Sequence, residues 1–316
     1  MAARITHTGQ GVTYLFPNDQ IEIERLDNQH ELIKILLDNK IYLSPWSRDK
    51  TCPSKVLDVA TGTGRWAVEL GDEFPSTTVV GIDLSPIQPT LVPLNVSFFV
   101  QDASEDWEDG DGSFDYIHTR FTTGCWGDMF ADIVVKAFAS LQPNGWLECQ
   151  ELQDMAFSDD GSLTSDMPLS VWCRDLVEAS KRSNRPLVAA AQLRDWFEAA
   201  GFVDIQEKVY KLPINGWPRD PRLKKLGEMW QVNMQNGLQA FSYGFMHRVL
   251  GKSKAEIEVS LVDVRKDITN PQIHAYNRFY VVWGRKPAVP TTASGSAVVV
   301  SSSSSRASMD TLIPAQ

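Results

Sequence analysis

The residues best suited to do chemistry are acids and a histidine placed where short apolar runs stop. "VLDVATGTGRWAVEL", Val56 to Leu70, carries Asp58 inside an apolar run, then Gly62 and Gly64 where a helix-like pattern opens. Glycine admits positive φ and close backbone approach, so such a turn can lie against a ligand. Asp83 ends the next run, "TVVGIDLSP", and Asp102 ends the one after, "VSFFVQDASEDW". His118, in "FDYIHTR", leaves a fourth run at the same relative place.

The letters Gly62-x-Gly64-x-x-Ala67 satisfy the dinucleotide fingerprint, and a carboxylate at Asp83 accepts ribose hydroxyls in NAD and in S-adenosylmethionine alike. Two features separate these ligands. A dinucleotide site usually has an apolar residue where Asp58 stands, and a buried carboxylate needs hydrogen bonds or a cation; loop amides and a ligand ammonium group supply both. Asp102 suits an adenine amino group, with the Ala103 N–H on a ring nitrogen. An ammonium, a ribose and an adenine without a pyrophosphate describe S-adenosylmethionine. The expected donor site is Asp58, Gly62, Gly64, Asp83, Leu84, Asp102, Ala103 and His118.

Methyl transfer is an in-line displacement governed by alignment and water exclusion, and a base is needed only if the acceptor must lose a proton. His118 is the candidate catalytic residue: it can touch the donor, orient the acceptor or take its proton. A strand-end histidine bonded to backbone is the structural alternative. Glu151 is a weaker candidate base, and Arg120 is expected to pair with Glu148 or Glu151. No metal is expected. His30 and His274 have no metal-ligand spacing with His118, and Cys52, Cys125, Cys149 and Cys173 lie far apart. Trp66, Trp107, Trp126, Trp146, Trp217 and Trp230 can line an aromatic acceptor pocket, but each reads more readily as core, although "TTGCWGDMF" follows the fourth strand and faces the acceptor side.

The elements that must position these groups alternate between strand-like and helix-like texture, the mark of βαβ units and a parallel sheet. Strands are expected at 55–60, 78–83, 96–101, 114–119 and 145–151, with two more in "AAGFVDIQEKVYKL" and "IHAYNRFYVVWGRKP". Helices are expected at 64–73, 128–141, 167–182 and 190–200, with a short Pro-limited one after Ser85. Residues 1–50 read as an N-terminal helical segment that Asn18 or Asp19 caps. Residues 51–287 form the main domain, with a helical cap inserted at about 217–268. The Ser-rich stretch 288–316 cannot sustain a core and reads as disordered.

The 316 residues carry a formal charge of −10, which argues against nucleic acid as the main partner. No stretch is apolar enough to span a membrane, the first residues lack the apolar core of a signal peptide, and the scattered cysteines read as reduced thiols. A cytoplasmic location is expected, with the nucleus as the alternative.

With "YLFPND", "ERLDNQH", "LDVATGTGRWA", "GIDLSPIQP", "FDYIHTR", "SDDGSL", "LPINGWPRDP" and "IHAYNRFYVVWGRKP" in view, the chain resembles the fungal LaeA-like group of class I S-adenosylmethionine-dependent methyltransferases. The resemblance implies an α/β fold. Its core is a Rossmann-like seven-stranded sheet with helices on both faces, an N-terminal helix over the donor and a helical cap. It also implies that Tyr14 closes over the donor. Two functions follow from it: a methyltransferase acting on a small molecule of fungal secondary metabolism, or a regulator of that metabolism acting through velvet-type protein partners. The absence of a basic targeting run favours the enzyme. Ala60 and Asn144 depart from the group's usual glycines; Ala60 can serve if its φ is negative, Asn tolerates the left-handed region, and cofactor binding is expected to survive both.

Overall fold

A computed structural model describes residues 6–9, 12–46, 52–107 and 110–288, with the segment before Asn18 given by its backbone alone. A hairpin of β1 (Thr6–Gly9) and β2 (Val12–Pro17) comes first, where a helical segment was expected. Tyr14 lies in β2, and its side chain is outside the described residues, as is the tail from 289 onward. Helix α1 (Gln20–Leu36) follows, and the Asp19 carboxylate caps it by accepting the Glu22 N–H at 3.0 Å.

The sheet is built from β3 (Lys55–Val59), β4 (Thr78–Asp83), β5 (Val96–Val100), β6 (Phe114–Arg120), β7 (Leu141–Phe157), β8 (Val203–Pro213) and β9 (Tyr276–Arg285). Its order is β5-β4-β3-β6-β7-β9-β8. Pairing is parallel from β5 through β7, and β9 alone runs against both its neighbours. β3, β4 and β6 are buried along most of their length, as parallel strands covered on both faces must be. The chain leaves β3 toward β4 on one side and returns to β6 on the other. That reversal opens a crevice at the carboxyl ends of β3, β4 and β6, where open α/β sheets bind ligands.

Helix α2 (Arg65–Glu73) follows β3, and a π-turn at Phe130–Val135 runs into α3 (Lys136–Ser140) ahead of β7. After β7 come α4 (Pro168–Arg182) and α5 (Leu193–Ala200). Between β8 and β9 lie α6 (Pro221–Ser242), the π-turn Tyr243–His247 and α7 (Lys254–Thr269), the expected helical insertion. The helix expected after Ser85 is absent: residues 84–95 are bends and turns. Pro86, Pro89 and Pro93 remove N–H donors and push their predecessors from helical angles, so no turn of helix closes there. Among the described residues no helix is long and apolar enough to cross a membrane.

The largest core cluster joins α1, α4, α6 and α7 to β9, with Leu32, Leu169, Leu226, Leu261 and Phe279 fully buried. The sheet's helical insertion is thus bound to the N-terminal helix by apolar packing. Arg25 adds a polar clasp at 6% exposure. It donates to Glu22 at 2.6 and 3.0 Å and to Asn233 of α6 at 2.9 Å.

Candidate active site

Parallel register sets Asp58 of β3 directly opposite His118 of β6. His118 Nδ1 lies 2.8 Å from Asp58 Oδ1, and since a carboxylate only accepts, the ring proton sits on Nδ1. The second Asp58 oxygen takes the Thr61 hydroxyl at 2.5 Å. Trp66, on the first turn of α2, stacks on the imidazole with centroids 3.8 Å apart and planes 4° from parallel. His118 is 1% exposed, and among the described residues its Nε2 has no hydrogen-bond partner.

The glycine turn wraps the next acid. Gly62 and Gly64 both take positive φ, 59° and 76°, and a Cβ on Gly64 would stand 2.4 Å from the Phe98 ring. The Gly62 N–H donates to Asp83 Oδ2 and the Ser85 N–H to Oδ1, each at 2.8 Å. Each oxygen keeps a lone pair for a ligand hydroxyl. Burial pushes the Asp83 carboxyl up to about 6 against the pull of these amides. Ala60 does not meet the condition of a negative φ: it stands at +53°, so this turn holds an L-residue in the left-handed region where glycine would rest without strain. Asn144 stands at φ +70° as expected.

Asp58, Gly62, Asp83, Leu84, Asp102, Ala103 and His118 line one cavity. The cavity thus gathers these residues from the ends of all four strands; Gly64 sits just behind it as the cap of α2. Asp102 spends one oxygen on Ser104, at 2.9 Å to its N–H and 2.6 Å to its hydroxyl.

Arg120 does not pair with Glu148 or Glu151. Its Nη2 donates to His30 Nδ1 of α1 at 2.8 Å, and His30 Nε2 meets Glu69 at 2.7 Å. Burial and the Arg120 charge push His30 down to about 2, so it stays neutral and both ring nitrogens are engaged. The cluster of His30, Glu31 and Glu69 is therefore an arginine–histidine–glutamate chain. His274 lies elsewhere, on Asp160. Burial lowers Arg120 to about 10, and its Nη1, aimed into the same buried setting, has no partner among the described residues. Arg120 lines the donor cavity too. An unpaired guanidinium N–H, an unpaired imidazole nitrogen and acids with spare lone pairs fit an amino-acid carboxylate, an ammonium and a ribose. The residues present suit S-adenosylmethionine.

Glu148 and Glu151 are fully buried and consumed by backbone. Glu148 accepts the Leu43 and Ser44 N–H groups at 2.9 and 2.8 Å. Glu151 accepts those of Thr122 and Thr123 at 2.7 and 3.0 Å. Burial raises Glu151 to about 7, and its oxygens are held by the loop after β6, which it fixes.

A second cavity adjoins the first across Leu26, Gln29, Gly62, Asp83, Phe121 and Cys125, which line both. Its walls include Trp172, Trp230, Phe241, Phe245 and Asp154. From the sequence, Trp230 can line an acceptor pocket but reads more readily as core; Trp172 and Asp154 are not singled out there. Strand alternation carries the missed signal, since Leu152 and Asp154 share one face of β7 and Glu151 points to the other.

The family described as "Methyltransferase domain" matches residues 28–207. The chain is 37% identical over 277 residues to the methyltransferase pytC of Aspergillus terreus, covering 87% of this chain and 84% of that protein. It is 38% identical over 274 residues to the probable methyltransferase tdiE of Emericella nidulans, covering 85% and 83%. The secondary metabolism regulator LAE1 of Cochliobolus heterostrophus is 32% identical over 277 residues, covering 87% and 90%. A seven-stranded sheet with one reversed strand, a glycine turn on strand-end acids and these relatives converge: the chain belongs to the class I S-adenosylmethionine-dependent methyltransferases, in the fungal LaeA-like group.

Proposed function

We propose that the protein methylates a small molecule of fungal secondary metabolism. The observation that carries this reading is the second cavity, which meets the donor cavity at Phe121 and is walled by the sheet rim and the helical insertion. S-adenosylmethionine, when bound, supplies a methyl carbon activated by a sulfonium. The chain's own groups do the rest. Asp83 accepts the ribose hydroxyls, Asp102 and Ala103 meet the adenine, and Arg120 turns its unpaired Nη1 to the carboxylate. Asp58 faces the ammonium, and His118 fixes the Asp58 carboxylate while Trp66 holds the imidazole. On this reading His118 is a positioning residue and a donor contact. Helix α1 and the insertion between β8 and β9 exclude water, so that alignment dominates the rate.

Calorimetric titration with S-adenosylmethionine tests the donor half, with Asp83→Ala and Arg120→Gln beside the wild type. Saturable binding weakened in both variants supports it; wild-type protein that is folded and does not bind sinks it. The LAE1 relationship favours a second reading, regulation through protein partners. Its mark would be a donor-site variant that keeps its biological effect.

A further inference from the structure

We propose that the second cavity is the acceptor site, that it takes an uncharged planar aromatic molecule bearing an O–H or N–H, and that Asp154 receives the proton released there. This rests on the methyl-transfer reading above.

The shape of the walls sets the class. Trp172 and Trp230 are nearly buried, and their N–H groups are engaged with Ser242 Oγ and Asn277 Oδ1, each at 2.8 Å. They offer ring surface and no free donor. Phe121 lies near-parallel to Trp230, centroids 6.2 Å apart and planes at 26°, and joins the two cavities. Its φ is +57°, a strained angle for a bulky residue that persists only where surroundings enforce it. The enforcing contacts are at hand: the Phe121 N–H donates to Gln150 O at 3.0 Å, and Glu151 grips Thr122 and Thr123. The strain holds an aromatic ring at the junction where acceptor and methyl group must meet.

Charge narrows it further. Arg25 is the cation lining this cavity among the described residues, and its guanidinium is spent on Glu22, Gln29 and Asn233. An anionic acceptor would find no free cationic side chain among the described residues.

Elimination points to Asp154. Of the carboxyls on this cavity, Glu22 holds Arg25 and Asp83 holds the glycine turn. His118 lines the donor cavity but not this one. Asp154 has only a long contact, 3.5 Å, from the Thr123 hydroxyl. Burial raises it to about 8, with Glu151 adding to the rise, so the carboxylate, which forms as pH rises through about 8, is a stronger base than an ordinary aspartate. In the step, a lone pair of the acceptor oxygen or nitrogen forms the bond to the methyl carbon as the carbon–sulfur bond breaks. That bond's electron pair passes to sulfur, and the acceptor proton passes to Asp154. The sulfonium and carboxylate charges cancel together.

The probes are 2-naphthol, 2-naphthylamine and, as the anionic control, 2-naphthoate. Binding is read by tryptophan fluorescence with S-adenosylhomocysteine present, and transfer by formation of 2-methoxynaphthalene. The expected result is saturable binding of the two neutral probes and none of the naphthoate. Trp230→Leu should weaken binding roughly tenfold or more, in line with a large apolar contact. Met234→Trp, which fills the cavity rim, should abolish it while S-adenosylmethionine still binds. Asp154→Asn should keep 2-naphthol affinity within a few-fold and lose roughly 10²–10⁴-fold in transfer, the usual share of a general base. Wild-type protein that binds S-adenosylmethionine but neither neutral probe overturns the inference, as does naphthoate binding equally well or Asp154→Asn transferring at the wild-type rate. Failure to bind S-adenosylmethionine with 2-naphthol still bound would overturn the methyl-transfer reading and the proton step, and support the cavity's ligand class.

Discussion

Trp66 lies flat on His118, planes 4° from parallel, while the same imidazole meets Asp58 at 2.8 Å. A helix residue thereby holds a strand residue, which holds the donor-site acid. Trp66→Ala should cost about 3–5 kcal/mol, the usual range for emptying a buried tryptophan site, and weaken S-adenosylmethionine binding as well. Trp66→Phe keeps a stacking ring and loses the 2.8 Å bond from Nε1 to Ile41 O, a loss of about 1 kcal/mol. Urea unfolding of the two variants gives the comparison; equal costs would mean the ring stack contributes little.

Ala60 at φ +53° makes the donor turn improvable. Relief of left-handed strain is worth about 1–2 kcal/mol, and the extra freedom of an unfolded glycine takes back about 0.4–1. Ala60→Gly should therefore stabilise the fold by up to roughly 1.5 kcal/mol. A lower unfolding midpoint would show that the turn is not strained at this residue.

The Arg25 clasp should be costly to open from one side. Arg25→Ala leaves the buried Glu22 carboxylate without its 2.6 Å partner, and breaking a buried pair typically costs about 3–5 kcal/mol. Hydrogen exchange should rise in α1 and α6 together. Exchange confined to α1 would mean that apolar packing alone joins the two helices.

Acid affects donor binding and stability in opposite senses. The folded Asp83 carboxyl sits at about 6, above its ordinary 3.8. Its contribution to stability is complete below the unfolded value and lost as pH rises through about 6. Glu151 at about 7 and Asp154 at about 8 carry the same sign. Ribose hydroxyls donate to the carboxylate form, so affinity for S-adenosylmethionine should climb as pH rises through about 6. Calorimetry across that range should show the climb in the wild type and a flat, weaker profile in Asp83→Asn.

Much of this was legible in the sequence, because strand-end acids and a glycine turn are local features. Asp58, Asp83, Asp102 and His118 fall on adjacent strand ends once a parallel sheet is granted, and their cavity follows. Contacts between distant segments were not legible. Arg120 meets His30 from α1 instead of a glutamate of β7, since the neighbouring acids are already taken by backbone amides. The turn at 84–95 defeats helix for a local reason, its three prolines, that the spacing of apolar residues overrode. Ala60 shows the converse: nothing in its own chemistry announces a left-handed angle, which the closure of the loop imposes. Asp154 escaped notice because its importance lies in what surrounds it.

The two cavities share Leu26, Gln29, Gly62, Asp83, Phe121 and Cys125, but their remaining walls come from different parts of the chain. Donor contacts come from the ends of β3, β4, β5 and β6, where a change in one residue disturbs loop, acid and sheet together. Trp172, Trp230, Phe241 and Phe245 belong to α4, α6 and the turn after it, and none of them lines the donor cavity. On the proposed assignment, changes in those helices exchange one acceptor for another while the donor contacts are kept. A lineage of such proteins can diversify its chemistry by rewriting a single wall.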